Sequence, residues 1–170
     1  MKIRFEREED YDSIRSLNDL AFGGTIESSL INKVRASCKE TLSLVAVEEN
    51  RIVGHIFFSP VTVLSGKSKI KGMGLGPMAV LPEFQNQGIG SKLVMEGLKI
   101  LSKKNYPFVV VLGHKEYYPR FGFERSSKYG LRSQWDGVPD EAFMVLFPNK
   151  SVVNKVSGLV RYRPEFNEAM

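Results

Sequence analysis

The 170-residue chain contains a single cysteine, Cys38, which excludes an internal disulfide framework and any multi-cysteine zinc site. Two histidines, His55 and His114, leave little material for a histidine-rich metal centre, and no metal site is expected. No apolar run reaches the ~18 residues that a membrane span needs. The opening Met1-Lys-Ile-Arg-Phe-Glu is too charged for a secretory leader. No repeat, low-complexity tract or Pro/Gly/Ser-rich linker divides the sequence. These absences predict one soluble, cytoplasmic domain over residues 1–170, with its core at about 3–147, a C-terminal extension over 148–170 and no membrane partner.

Charge and apolar residues are both plentiful. The chain is 42% hydrophobic and 25% charged, the balance of a folded globular protein rather than a disordered one. The net charge of +5 is uneven along the sequence: residues 1–50 hold 7 Lys+Arg against 10 Asp+Glu, and residues 51–170 hold 17 against 9. The basic portion suggests a polyanionic partner, either nucleic acid or a phosphorylated small molecule. No basic cluster exceeds Lys103-Lys104 and no aromatic platform interleaves with the cations, so nucleic acid is not expected.

Hydrophobic spacing predicts the elements. Ile3 and Phe5 alternate with charges as a first strand. From Glu8 the spacing turns helical through Tyr11, Ile14, Leu17 and Ala21, ending at Gly23-Gly24, and a second helix runs from Ile26 to Ala36. The period then becomes two. Leu42–Val47 and Arg51–Phe58 form a hairpin about Glu49-Asn50, Pro60 separates them from a strand Val61–Leu64, and another strand follows the Ser65-Gly66 turn to about Leu81. A helix spans about Gly88 to Lys104. The unbroken Phe108-Val-Val-Val-Leu reads as a strand buried on both faces, and Phe143–Phe147 and Leu159–Tyr162 as later strands. The fold class is α/β, an α+β mixed sheet carrying helices.

The segment Gly74–Lys92 carries the strongest chemical signal. A strand ends near Pro82, a short loop follows, and a helix begins near Gly88, where unpaired amides and the helix dipole favour an anion. Glycines at 88 and 90 let that anion approach the backbone. No Gly-x-x-x-x-Gly-Lys-Ser/Thr is present. Gly72-x-Gly74-x-Gly76 lacks the dinucleotide spacing and precedes Pro77 rather than a helix.

Gln85-Asn-Gln-Gly88-Ile-Gly90, preceded by Met78-Ala-Val-Leu-Pro82, resembles the acyl-CoA-binding element of the GCN5-related N-acetyltransferases. Tyr118-Pro-Arg-Phe-Gly122-Phe123 resembles the Tyr-x-x-x-Gly-Phe that closes that family's core, and the element order agrees over most of the chain. Leu75-Gly-Pro77 and Tyr117-Tyr-Pro-Arg-Phe-Gly-Phe123 are similar to a bacterial subgroup. The resemblance implies a mostly antiparallel central sheet with helices on both faces. It implies acetyl-CoA as donor substrate, a primary amine as acceptor, and a monomer or homodimer. By the same resemblance, backbone groups of Met78, Ala79 and Val80 pair with the pantetheine arm. Gln85 belongs to the motif, and the amides of Gln87, Gly88, Ile89, Gly90 and Ser91 hold the pyrophosphate.

The resemblance makes Tyr118 the general acid. It leaves the base open between Glu27, His114 and a water chain, because Lys71 to Val80 holds no carboxylate. Glu83 reads equally as a solvated turn residue, and His55 as a core or edge residue. The Asn that relatives often carry after the fifth strand is missing, and Gly113-His-Lys-Glu-Tyr leaves room only for a short turn before Tyr118. Arg125, Lys128, Arg132 and Trp135 read as an acceptor lining for something acidic or as exposed loop. A non-catalytic acyl-CoA-binding module of the same fold is the alternative.

Overall fold

Alternating apolar residues and the turns between them form nine strands in the computed structural model, which describes residues 1–170. They are β1 Lys2–Phe5, β2 Leu42–Glu48, β3 Arg51–Ser65, β4 Ser68–Val80, β5 Val109–Leu112, β6 Glu124–Arg125, β7 Leu131–Ser133, β8 Phe143–Leu146 and β9 Gly158–Arg161. The α-helices are α1 Tyr11–Phe22, α2 Ile26–Ser37 and α3 Ile89–Lys103. The strands pair in the order β1-β2-β3-β4-β5-β8-β6, with β9 on β3 and β7 on β9. The β4–β5 and β7–β9 pairs are parallel, and β1–β2, β2–β3, β3–β9, β5–β8 and β6–β8 are antiparallel. The chain therefore forms the expected mixed sheet with helices. No helix is long and apolar enough to cross a membrane.

Two expectations are corrected. Pro60 does not end a strand, because β3 continues from Arg51 to Ser65. Pro60 lies between Phe58, the last residue paired with β2, and Thr62, paired with β9, so its missing N–H interrupts neither ladder. The strands β6 and β7 have no counterpart among those expected, since two or three residues show no periodicity.

The chain packs as two compact units, each built from several stretches of sequence. The first comprises Met1–Ser59, Gly76–Gly97 and Pro164–Met170. Its core contains Ile14 and Leu17 of α1, Ile31 and Val34 of α2, Val53 and Ile56 of β3 and Leu93 of α3, none more than 1% exposed. A largely buried polar chain also runs through it. Arg35 donates from Nη2 to Glu6 Oε1 (2.8 Å) and from Nε to Glu6 Oε2 (3.0 Å), Ser43 Oγ donates to Glu6 Oε1 (2.7 Å), and Ser43 Oγ lies 2.8 Å from His55 Nε2. Asn18 Nδ2 lies 3.4 Å from His55 Nδ1 and donates to Ile14 O at 2.9 Å. Of the core and edge readings of His55, the structure selects core, with the ring wholly buried.

The second unit comprises Pro60–Leu75 and Leu98–Arg163, around Val61, Val63, Phe108, Val110, Val145 and Val160. Val109, Val110 and Val111 of β5 are buried between β4 and β8, as an uninterrupted β-branched strand requires.

Charge follows the units, not the order of the sequence. The first unit holds 9 Lys+Arg against 14 Asp+Glu and the second 15 against 5, net −5 and +10. Residues 51–170 hold the glycine loop in sequence, yet Gly76–Gly97 packs within the acidic unit.

Candidate functional site

In the first unit the site is a strand end, a braced loop and a helix start. The parallel ladder between β4 and β5 ends at Leu75↔Val111, five residues before β4 itself ends at Val80. The backbone of Met78, Ala79 and Val80 therefore has no β5 partner. Ala79 is buried, and Met78 and Val80 are half-buried. Leu81 N–H donates to Val53 O (2.9 Å), which ties the strand end to β3, and a 3-10 turn Pro82–Phe84 follows.

The loop holds its shape through its own side chains. Gln85 Nε2 donates to Val80 O (3.0 Å), and Gln87 Nε2 donates to Glu83 O (3.3 Å). Both glutamines brace the loop, so their part in any ligand site is to present backbone. Glu83 is a solvated turn residue, as expected, and its exposed carboxylate pairs with Arg51 at 2.8 Å. Asn86 and Gly88 both take positive φ, 62° and 85°. At Gly88 nothing lies within 4 Å of where a Cβ would stand, so backbone conformation rather than crowding calls for glycine there.

Lys92 N–H donates to Gly88 O (3.1 Å), closing the first turn of α3. The amides of Ile89 and Gly90, at the very start of the helix, have no carbonyl one turn back within it. Ile89 is buried and directs its side chain at Gly54, where an added Cβ would sit 2.9 Å from Ile89 Cγ2 and 3.1 Å from Leu93 Cδ1. The absent side chain at 54 seats the first turn of α3 on β3, a contact with no local sequence signal. Gly88 is exposed, and Gly90 and Ser91 are half-buried. A helix start with these amides and an open glycine can accept a phosphate-like anion. Glu27, in the first turn of α2, is half-buried in the same unit.

In the second unit a turn over residues 115–117 precedes Tyr118, which itself opens the 3-10 turn Tyr118–Phe121. Its amide and that of Tyr117 donate to His114 O at 3.4 and 3.1 Å, while the His114 side chain is exposed. Tyr118 is 7% exposed, with its ring 5.1 Å from that of Tyr117 and 5.8 Å from that of Phe123. A Cβ on Gly113 would stand 2.3 Å from Tyr118 Cε2, so Gly113 is the seat of this ring, a role missed in the sequence. Burial, reinforced by Tyr117, pushes the Tyr118 phenol up to about 12. It therefore keeps its proton at neutral pH and can act there as a donor, not as a base.

Of the four loop residues expected to line an acceptor site, Arg125 pairs with Asp140 (3.3 Å) and Lys128 with Glu124. Trp135 packs against Tyr162 with ring centroids 4.8 Å apart. Arg132 is exposed with no acidic partner.

The family profile of the acetyltransferase (GNAT) domain matches residues 2–126. The uncharacterized N-acetyltransferase YhbS of Escherichia coli strain K12 is 36% identical over 168 residues, covering 98% of this chain and 99% of its own. The crystal structure of YhbS from Escherichia coli in complex with CoA superposes with a TM-score of 0.91 at 35% identity, covering 98% of this chain and 91% of that one. A GNAT family acetyltransferase from Brucella melitensis in complex with acetyl-CoA gives a TM-score of 0.80 at 35% identity, covering 97% of each chain. The chain belongs to the GNAT acetyltransferase family.

Proposed function

We propose that the protein transfers an acetyl group from acetyl-CoA to a primary amine by direct attack in a ternary complex. The observation that carries the reading is the end of β4, left without a partner on its β5 side, running into a braced loop and a helix start where Ile89 and Gly90 have no helical acceptor. The CoA and acetyl-CoA complexes of two relatives 35% identical to this chain support it. In this reading the backbone of Met78, Ala79 and Val80 pairs with the pantetheine arm. Amides from Gln87 to Ser91 hold the pyrophosphate, and Gln85 keeps the loop shaped for it.

The amine nitrogen forms a bond to the acetyl carbonyl carbon as the carbon–sulfur bond breaks. Backbone N–H groups around Val80 stabilise the oxyanion. Tyr118 donates a hydrogen bond to the sulfur as negative charge develops, then its proton, and is reprotonated from solvent. Glu27, His114 or a water chain takes the proton lost by the amine. Glu83, exposed in a turn and paired with Arg51, is given no role.

The test is Tyr118→Phe, assayed by thiol release from acetyl-CoA with a panel of primary amines, beside CoA affinity by calorimetry. A fall in kcat of about 10²-fold with CoA affinity unchanged is expected. Unchanged turnover would remove Tyr118 from the mechanism. A second reading, a module that binds acyl-CoA without turnover, is favoured by the lack of any carboxylate from Lys71 to Val80. Tight CoA binding with no thiol release from any amine would establish it.

A further inference from the structure

The second unit carries a net charge of +10. Part of it lies on one sheet face. Gly66 has φ +64° and lies with Lys67 between the last residue of β3 and the first of β4, a two-residue turn with glycine in the first position. Such a turn sets Ser65 opposite Ser68, so Leu64 stands opposite Lys69. On its other side β3 pairs with β9 as Thr62↔Arg161 and Val63↔Val160, a register that brings Leu64 opposite Leu159. The β7–β9 ladder pairs Arg132 with Leu159. Directly paired residues share a face, and a row therefore crosses four strands as Arg132, Leu159, Leu64, Lys69. Arg161 stands on the same face beside Thr62.

The opposite face is core, since Val61, Val63, Val160 and Leu131 are at most 1% exposed. The row faces solvent: Leu64 is 62% exposed, Arg132, Lys69 and Arg161 are exposed, and Leu159 is half-buried. None of these three cations has an acidic partner, whereas Arg125 and Lys128 elsewhere in the unit are paired.

We propose that this face is a docking surface for an acidic polypeptide segment whose apolar side chains cover Leu64 and Leu159 while its carboxylates meet Arg132, Lys69 and Arg161. Two adjacent leucines framed by unpaired cations match a segment in which acidic residues flank apolar ones. Single-stranded nucleic acid fits less well, because the centre of the face is aliphatic and offers no stacking surface. The inference is independent of the acetyl-transfer reading, since it uses no residue of the β4 end, the glycine loop or the Tyr118 turn.

The experiment is fluorescence anisotropy with a short labelled peptide of alternating Glu and Leu blocks, titrated with the full chain at low and at physiological salt. A Lys/Leu peptide of the same length, a labelled oligo-dT and anionic phosphatidylserine vesicles are run in parallel. Binding of the Glu/Leu peptide is expected, weakening with salt and falling at least tenfold in the triple variant K69E/R132E/R161E. Leu64→Ser is expected to cost several-fold with little change in the salt dependence. Circular dichroism and CoA affinity serve as folding controls, because all four substituted positions are exposed and outside the proposed CoA site. No binding of the Glu/Leu peptide at low salt would overturn the proposal. Equal binding by the folded triple variant, or tighter binding of oligo-dT or the vesicles than of the peptide, would overturn it as well.

Discussion

His55 makes the first unit sensitive to acid, and its hydrogen bonds show why. Ser43 Oγ donates its proton to Glu6 Oε1, so at the 2.8 Å contact with His55 it is the acceptor, and His55 Nε2 carries the hydrogen. Nδ1 is then the unprotonated nitrogen and faces the Asn18 amide, which already donates to Ile14 O. A second proton on the ring would set Nδ1–H against an N–H₂ group, within the field of Arg35. Burial first, and Arg35 second, push His55 from 6.5 down to about 3. Between those values the unfolded chain binds a proton that the native state refuses. Stability is therefore complete above pH 6.5 and falls with decreasing pH by about 1.4 kcal/mol per unit. At pH 5 the loss is about 2 kcal/mol, a sizeable part of the ~5–15 kcal/mol that holds a typical domain together.

Urea unfolding of wild type and His55→Gln at pH 7.5, 6.5, 5.5 and 5.0 measures this effect. Glutamine can still donate toward Ser43 but does not titrate, so its stability is expected to change less over this range by about 2 kcal/mol. The window stays above pH 5 because Asp10, held low by Arg4, and Glu124, held low by Lys128, lose their contributions only on further acidification. Parallel pH profiles for the two proteins would refute the neutral buried ring.

Two glycine substitutions probe the site. Gly88→Asp has room for its side chain but must adopt φ +85° and puts a carboxylate where the proposed pyrophosphate sits. Calorimetry should show a loss of CoA affinity of at least 10²-fold with a fall of only about 1–2 kcal/mol in stability, and unchanged affinity would end the phosphate-loop reading. Gly113→Ala forces a methyl to within 2.3 Å of the Tyr118 ring unless that ring moves. It should cost about 1–3 kcal/mol in urea unfolding and lower turnover in the manner of Tyr118→Phe, whereas wild-type stability would mean that the ring has other room.

Regular elements are legible in the sequence wherever a period lasts. The helical spacing from Tyr11, the alternation through β2 and the Val-Val-Val run of β5 all name their elements within a few residues. Pro60 misleads because a proline's tolerance in a strand depends on where two other strands start and stop pairing. The glycine loop is legible as an anion-binding helix start because its chemistry is local. What seats it is not: Gly54 receives Ile89 from 35 positions further along the chain, and no local pattern joins them. His55 is recognisable as core, but its tautomer depends on Ser43, Glu6 and Asn18, which only tertiary structure assembles.

Charge is where sequence order misleads most. Summed along the chain, the excess of cations begins at Arg51 and travels with the glycine loop. Summed over the compact units, that loop belongs with 14 acidic residues, and 15 of the chain's 24 cations fall in the other unit. The physical reason is that β3 and β4 each contribute residues to both units, so sequence proximity and packing diverge midway along a strand. A phosphate-binding role for the Gly88 loop therefore cannot rest on net charge. It rests on short-range effects, namely amides without helical acceptors and a dipole that acts over the first turn. Three of these cations, Arg132, Lys69 and Arg161, frame two adjacent leucines on one sheet face, the surface proposed to take an acidic segment.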